Sequence, residues 1–292
     1  MRKLFLLTGI VCLMSSCIRQ ELAPCPPLQI NVAVKDKNYF NAQDAAEIVG
    51  VKDENLPFKD YVSTLYYIIT EAETGKIIEE RTTFEVTGSE KNYKIILPED
   101  LPYGKYVVTA WGNLKTERPI GDDGAYEDML SEETLNRDIY VTHDTLDYQV
   151  GKEIFYTDLE RTRGKLLIQA QNIPDYVNYS AKSISNVFQY VGRKLNYAVA
   201  GTVQTDTLWN ELNQIQTETL LCPSTSLKES KLKVRFENSQ TGNVLTPEDI
   251  QITMSRNMLT IVRYVYQEES DDFGIYVFID DNWEKVHGME IE

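Results

Sequence analysis

The sequence predicts an all-β protein made of two antiparallel β-sandwiches in tandem. Three observations lead there. Apolar and polar residues alternate with a period of two in runs such as Leu28–Val34 and Lys231–Glu237, the pattern of half-buried strands. Turn sequences such as Glu73-Thr74-Gly75-Lys76 and Gln240-Thr241-Gly242-Asn243 separate the runs at regular spacing. Tyrosine is frequent, at 18 of 292 residues, and Thr and Val recur in the apolar runs, which suits a pleated surface.

Residues 1–16 read as an export signal. Arg2 and Lys3 give a positive start, and the apolar run Leu4–Met14 follows. That run is too short to span a bilayer, which takes about 20 apolar residues. Ser15 and Ser16 are small, and Cys17 comes next. A Cys in that register resembles the lipobox of bacterial lipoproteins, although Met14 stands where Leu is usual and Leu13 lies one place earlier. The resemblance implies cleavage before Cys17, diacylation of its thiol and acylation of its amine. The alternative is an ordinary signal peptide with a chance Cys at its end. Each buried methylene contributes about 0.8 kcal/mol, so two or three acyl chains would hold the protein at a membrane for long periods.

Residues 17–27 form a tether stiffened by Pro24, Pro26 and Pro27. The first domain is expected over 28–158. Its strands are read at Leu28–Val34, Tyr61–Thr70, from Ile77, at Thr82–Val86, Asn92–Leu97, Lys105–Gly112 and within Ile139–Phe155. Short helices are expected between Asn41 and Asn55 and near Glu132–Asn136. The second domain is expected over 159–292. Its strands are read at Lys165–Ala170, Lys231–Glu237, Ile250–Met254, Leu259–Tyr266 and Ile275–Ile279, with Trp283 closing the series. Residues 176–191 fit a strand, yet their spacing also allows a helix. Asp206–Asn213 reads as a short helix capped by Asp206.

Composition narrows the function. Net charge is −16, and losing Arg2 and Lys3 with the signal takes the mature chain to about −18. That argues against nucleic acid or an anionic surface as partner. Of the four cysteines, Cys12 leaves with the signal and Cys17 is committed to lipid. Cys25 and Cys222 could pair in an oxidising compartment, but their separation favours two independent thiols.

No catalytic constellation is visible, so no cofactor and no enzyme activity is expected. His143 and His287 lack metal spacing. Asp271-Asp272-Phe273-Gly274 carries the letters of a kinase magnesium motif without the loops that motif needs, and reads as a turn. The carboxylates of Gly121–Asp128 do not follow the calcium-loop spacing, so a solvated loop is favoured. Thr145 and Thr207, in Asp-Thr-Leu sequences, resemble bacterial O-glycosylation sites.

Several short motifs together resemble the FimB-type anchor lipoproteins of the type V fimbriae made by Bacteroides, Porphyromonas and their relatives. Cys17 is followed by Glu21, Leu22 and Cys25-Pro26 directly before the first strand. Leu101–Asn113 ends in Trp111-Gly112-Asn113. Ser255-Arg256-Asn257 precedes Leu259–Val262, and Asp280-Asp281-Asn282-Trp283 lies near the end. The resemblance implies two transthyretin-like sandwiches. It also implies a filament base held in the outer membrane by the Cys17 lipid, limiting filament length and joined to stalk or accessory subunits by β-strand addition. Family members often carry more acidic residues after the Cys; here only Glu21 is present, which leaves surface against periplasmic exposure open. Two rival readings stay in view: a minor or tip fimbrial subunit, and a surface glycan-binding lipoprotein presenting Trp111, Trp209 and Trp283 on one face.

Overall fold

The computed structural model describes residues 26–114, 126–131, 134, 136–208 and 215–288. The chain is all-β, as its alternation dictates. In chain order the first strands are β1 (Gln29–Val34), β2 (Leu65–Glu71), β3 (Ile77–Thr83), β4 (Tyr93–Ile96), β5 (Gly104–Gly112), β6 (Tyr126–Asp128), β7 (Tyr140–Tyr148) and β8 (Ile154–Arg161). A single 3₁₀ turn, Phe58–Asp60, precedes β2. Seven of these strands pair in the order β3-β2-β5-β7-β8-β1-β4. β7 and β8 pair only through Tyr140–Arg161 and Val141–Glu160, so the sheet turns over there into two layers. The inward side chains of both layers, including Ile30, Val32, Tyr67, Ile69, Val108, Tyr148 and Leu159, make one core.

The second sandwich holds β9 (Gly164–Gln171), β10 (Tyr179–Gly192), β11 (Tyr197–Leu208), β12 (Ile215–Leu221), β13 (Ser230–Glu237), β14 (Val244–Leu245), β15 (Ile250–Ile252), β16 (Leu259–Gln267), β17 (Asp272–Ile279) and β18 (Asn282–His287). One layer runs β11-β10-β13-β14, with β15 on β13 and β6 on β10. The other runs β12-β9-β16-β17-β18. β13 shows the cleanest alternation, with Ser230, Leu232, Val234 and Phe236 buried and the residues between them exposed. Pairing is antiparallel except once in each sandwich, where β1 lies parallel to β8 and β9 parallel to β16.

Some elements differ from the sequence reading. Residues 176–191 hold no helix; most of them lie in β10. A bulge at Asn186, with φ of 58°, shifts the register so that Ile184 and Val187 are both buried. That spacing of three is what made the run look helical. The stretch 39–49 forms turns instead of a helix. It is pinned onto β16 by Asn41, whose amide donates to the Leu259 carbonyl at 2.9 Å and accepts from the Leu259 N–H at 2.8 Å. Asp206–Leu208 ends β11, so the helix read over Asp206–Asn213 does not begin at Asp206; residues 209–213 lie outside the described residues. The strand read at Thr82–Val86 stops at Thr83. β11, β12 and β14 were not anticipated. The short helix expected near Glu132–Asn136 falls largely outside the described residues.

Candidate functional site

The two sandwiches meet through a buried polar junction, and two of the sequence motifs, Trp111-Gly112-Asn113 and Ser255-Arg256-Asn257, lie at it. β8 continues past residue 158 to Arg161, and β9 begins at Gly164. Only Thr162 and Arg163 link them, and neither exposes any surface. A connection so short and so buried leaves little freedom for one sandwich to turn against the other.

Arg161 and Arg256 form the centre. The Arg161 Nε–H donates to both oxygens of Asp138, at 2.8 and 2.9 Å, and its Nη2 donates to the Tyr140 hydroxyl at 2.8 Å. Its Nη1 donates to Asn257 Oδ1, in the opposite sandwich. The guanidinium also lies over the Tyr39 ring, 4.2 Å from the centroid. Burial works against charge on Arg161, but Asp138, Tyr140 and Tyr39 outweigh it and raise its pKa. Arg256 reaches back the other way. It donates to Asp36 Oδ2 at 2.7 Å and to the Arg161 carbonyl at 3.2 Å, and pairs with Glu160 at 3.1 Å. Asp36 also accepts the backbone N–H of Arg161 at 2.8 Å. Arg163 spends its charge on two carbonyls, Met129 at 3.2 Å and Thr134 at 2.7 Å, and burial lowers its pKa.

Backbone geometry locks the same place. Asn257 adopts φ of 53°, a left-handed conformation that Asn tolerates. Its N–H donates to the Arg163 carbonyl at 3.1 Å, and its carbonyl accepts from Phe40 N–H at 2.9 Å. The turn sits so close to β9 that a Cβ on Gly164 would meet the Ser255 carbonyl oxygen at 2.2 Å. Apolar contacts flank the polar centre. Tyr66, Trp111 and Val141 of the first sandwich pack with Val191 and Cys222 of the second. Ala42 and Ala45 pack on Leu167, Leu259 and Ile261.

Two of the four resemblance motifs therefore have a structural role at this junction. Trp111 is buried at 1% exposure, and Gly112 brings β5 against Val62. Asn113 ties three segments: its Oδ1 accepts from Ser63 N–H, and its Nδ2 donates to the carbonyls of Tyr61 and Asp138, each at 2.8 Å. Arg256 and Asn257 close the clamp. Sequence reasoning missed Asp36, Tyr39, Arg161 and Arg163. The signal was present in Glu160-Arg161-Thr162-Arg163-Gly164, a charged run placed between the two strand series.

Other sequence-selected residues lie apart. Thr145 is exposed on β7 and Thr207 exposed on β11. Cys222 is buried, and burial pushes its thiol up to about 12. Cys17, Cys25 and Trp209 lie outside the described residues, as does Gly121–Ala125 of the acidic loop. Trp283 lies beneath the Arg263 guanidinium, 3.7 Å from the ring centroid, and against Phe278. With Trp111 in the core, the three tryptophans do not form one exposed face. His143 sits in β7 with Nδ1 2.7 Å from Thr109 Oγ1, and burial, helped by Arg193 and Lys194, lowers its pKa to about 4. His287 is 2.5 Å from Glu248. Among the described residues no group of three His, Cys, Asp or Glu could hold a metal, and no helix is long and apolar enough to cross a membrane.

Among the described residues the sheets end in β3 and β4 in the first sandwich. In the second they end in β11, β12 and β18, beside the short β14 and β15. β11 is the longest of these edges, at 12 residues, and most of its side chains are exposed or half-buried. Among the described residues it pairs only with β10, which leaves its outer edge without a strand partner there.

No family model matches the chain, and no curated protein matches it in sequence. Solved structures share the fold. A candidate adhesin from Bacteroides thetaiotaomicron superposes over 91% of this chain and 100% of its own, at TM-score 0.60 and 15% identity. A candidate polysaccharide-binding protein from the same species covers 90% of this chain and 98% of its own, at TM-score 0.57 and 10% identity. The fimbrial anchor protein Mfa2 from Porphyromonas gingivalis covers 88% of this chain and 98% of its own, at TM-score 0.45 and 12% identity, too loose a likeness to argue from. At these identities the likeness establishes the fold alone, which the chain shares with the candidate adhesin and the candidate polysaccharide-binding protein.

Proposed function

We propose that the chain is a non-enzymatic, lipid-anchored subunit of cell-surface fimbriae, acting as the base that holds the filament in the outer membrane through acylated Cys17. The observation that carries this reading is the junction. A two-residue buried linker and the Arg256–Asp36 and Arg161–Asn257 bridges join two sandwiches into one stiff body. β1 enters at one pole, and β9 and β16 run in parallel away from the junction toward the other. A filament base needs such a body, because load must pass from a tether at one end to a subunit at the other. The division into two domains, expected at 28–158 and 159–292 and now set at the Thr162–Arg163 link between β8 and β9, and the transthyretin-like topology belong to the same reading.

Stalk or accessory subunits would join by strand addition at a free edge, and β11 offers the longest one. Thr145 and Thr207 are exposed, as O-glycan acceptors must be. Deleting the gene in its host tests the role: long fimbriae shed into the culture fluid support the base, and unchanged cell-bound fimbriae refute it. Metabolic labelling with an alkyne fatty acid tests the anchor. Label should enter the protein and disappear with Cys17→Ala.

A further inference from the structure

Exposed apolar side chains gather at the pole where the chain enters the first sandwich. Gln29 of β1 pairs with Ile96 of β4 on one side and with Ile154 of β8 on the other, so these three form a row on the outer face of the sheet. The next row on that face holds Lys94, Asn31 and Tyr156. Ile96 is 57% exposed, Ile154 55% and Tyr156 72%. Val150, 79% exposed, lies in the turn between β7 and β8. That turn adjoins the first row, because Gln29 N–H donates to the Glu153 carbonyl at 2.8 Å. Tyr103 is close by: its ring lies 4.8 Å from that of Tyr148, whose hydroxyl donates to the Pro26 carbonyl at 2.6 Å. Exposed apolar side chains scattered singly need no explanation; a set sharing one row and one pole does.

We propose that this face rests on the membrane surface, with Val150, Ile96, Ile154 and Tyr156 at the boundary between headgroups and acyl chains. The occupant follows from where the tether ends. Pro26 lies at this pole, nine residues beyond Cys17, a reach of at most about 30 Å when fully extended. This rests on the reading of Cys17 as the lipid site. A lipid there confines the pole near the bilayer at high effective concentration, so a contact too weak to form alone becomes populated. Aliphatic and tyrosine side chains suit that depth. Lys94 shares the row of Tyr156 and can meet lipid phosphates, while Glu153 accepts from the Gly151 N–H within its own turn. The consequence is mechanical: the face fixes the angle at which the long axis of the protein leaves the membrane.

The test supplies the tether artificially, so it does not depend on native acylation. The chain 17–292, carrying Cys17→Ser, Cys25→Ser and an N-terminal hexahistidine tag, is held on vesicles of zwitterionic phosphatidylcholine with a small fraction of a nickel-chelating lipid, since the net charge of the chain disfavours an anionic surface. An environment-sensitive fluorophore is placed at Val150→Cys or Ile154→Cys, with Ser270→Cys as the control near the opposite pole. The expected result is a blue shift at 150 and 154, with at least about twofold quenching by nitroxide-labelled lipids and none at 270. Ile96→Asp combined with Ile154→Asp should then remove most of the quenching at 150. Labels at 150 and 154 that stay as unquenched as 270 overturn the proposal, including the case in which a protein partner covers the face. A failure of the lipid reading shows up separately, in the fatty-acid labelling of Cys17.

Discussion

Arg256 and Asp36 lie 220 residues apart in the chain and meet at 2.7 Å. Asp36 follows the end of β1, the strand nearest the tether. Arg256 precedes β16, which runs to the far pole. The pair therefore couples the strand where load enters to a strand that carries it away. The Asp36 side chain is only 2% exposed and that of Arg256 24%.

Removing one partner of such a pair leaves a buried charge uncompensated. Arg256→Ala should lower stability by about 2–4 kcal/mol, and it should also separate the sandwiches. Wild type is expected to unfold in one transition, seen alike by probes in either sandwich. The variant should show two. Urea titration followed by far-ultraviolet circular dichroism and by a site-specific fluorophore would decide; a single transition at an unchanged midpoint removes the clamp from the argument.

Gly164 gives a steric test of the same contact. A Cβ there would meet two backbone carbonyl oxygens, Ser255 at 2.2 Å and Met258 at 2.9 Å, neither of which can swing aside. Gly164→Ala should cost about 3 kcal/mol, at the upper end of overpacking effects. Gly104→Ala is the control, since nothing lies within 4 Å of its Cβ position. Its effect should stay within about 0.5 kcal/mol. Equal melting temperatures for the two variants would contradict the close packing of the Ser255–Met258 turn on β9.

The strands were legible where one face is buried and the other wet. Lys231–Glu237 declares itself because β13 exposes every second side chain. β11 went unread because its side chains are mostly exposed on both faces, so no alternation exists to be seen. β10 was ambiguous because the Asn186 bulge breaks its period. The junction was half legible. Trp111-Gly112-Asn113 and Ser255-Arg256-Asn257 stood out as motifs, but their meeting place depends on Asp36, Tyr39 and Arg161, drawn together by pairings no local pattern encodes. Charges that pair across more than a hundred residues look, in sequence, like ordinary surface charges.

His143 should make stability fall on mild acidification. Its folded pKa is lowered from 6.5 to about 4, by burial first and then by Arg193 and Lys194. Between those values the unfolded chain binds a proton that the folded chain refuses, so stability drops as pH falls from 6.5 toward 4 and this contribution levels off below. His143→Gln should flatten that part of the curve. The readout is the difference in melting temperature between wild type and variant from pH 7 to pH 4.5, in which the carboxylates common to both cancel. Parallel curves would show that the imidazole titrates normally.

Lys182 is a cation placed where the fold gains little from it. It projects from β10 toward β12, and its ammonium donates to Thr217 Oγ1 at 2.9 Å. Glu218, the carboxylate that acts on it, is held by Lys165 at 2.6 Å. Burial lowers the Lys182 pKa from 10.5 to about 8, so at pH 7 the folded state carries the full penalty for charging it. That penalty is at most about 3 kcal/mol. Lys182→Met keeps the side chain's length and removes the charge, while leaving the Thr217 hydroxyl without its donor. The net expectation is a gain of about 1–2 kcal/mol at neutral pH. The sign follows from the lowered pKa: the gain is full below pH 8 and fades as pH rises from 8 toward 10.5, where wild type folds with a neutral amine. Chemical denaturation at pH 7 and pH 10 reads both parts. A variant less stable than wild type at pH 7 would mean that the ammonium is better solvated in the second sandwich than its contacts indicate.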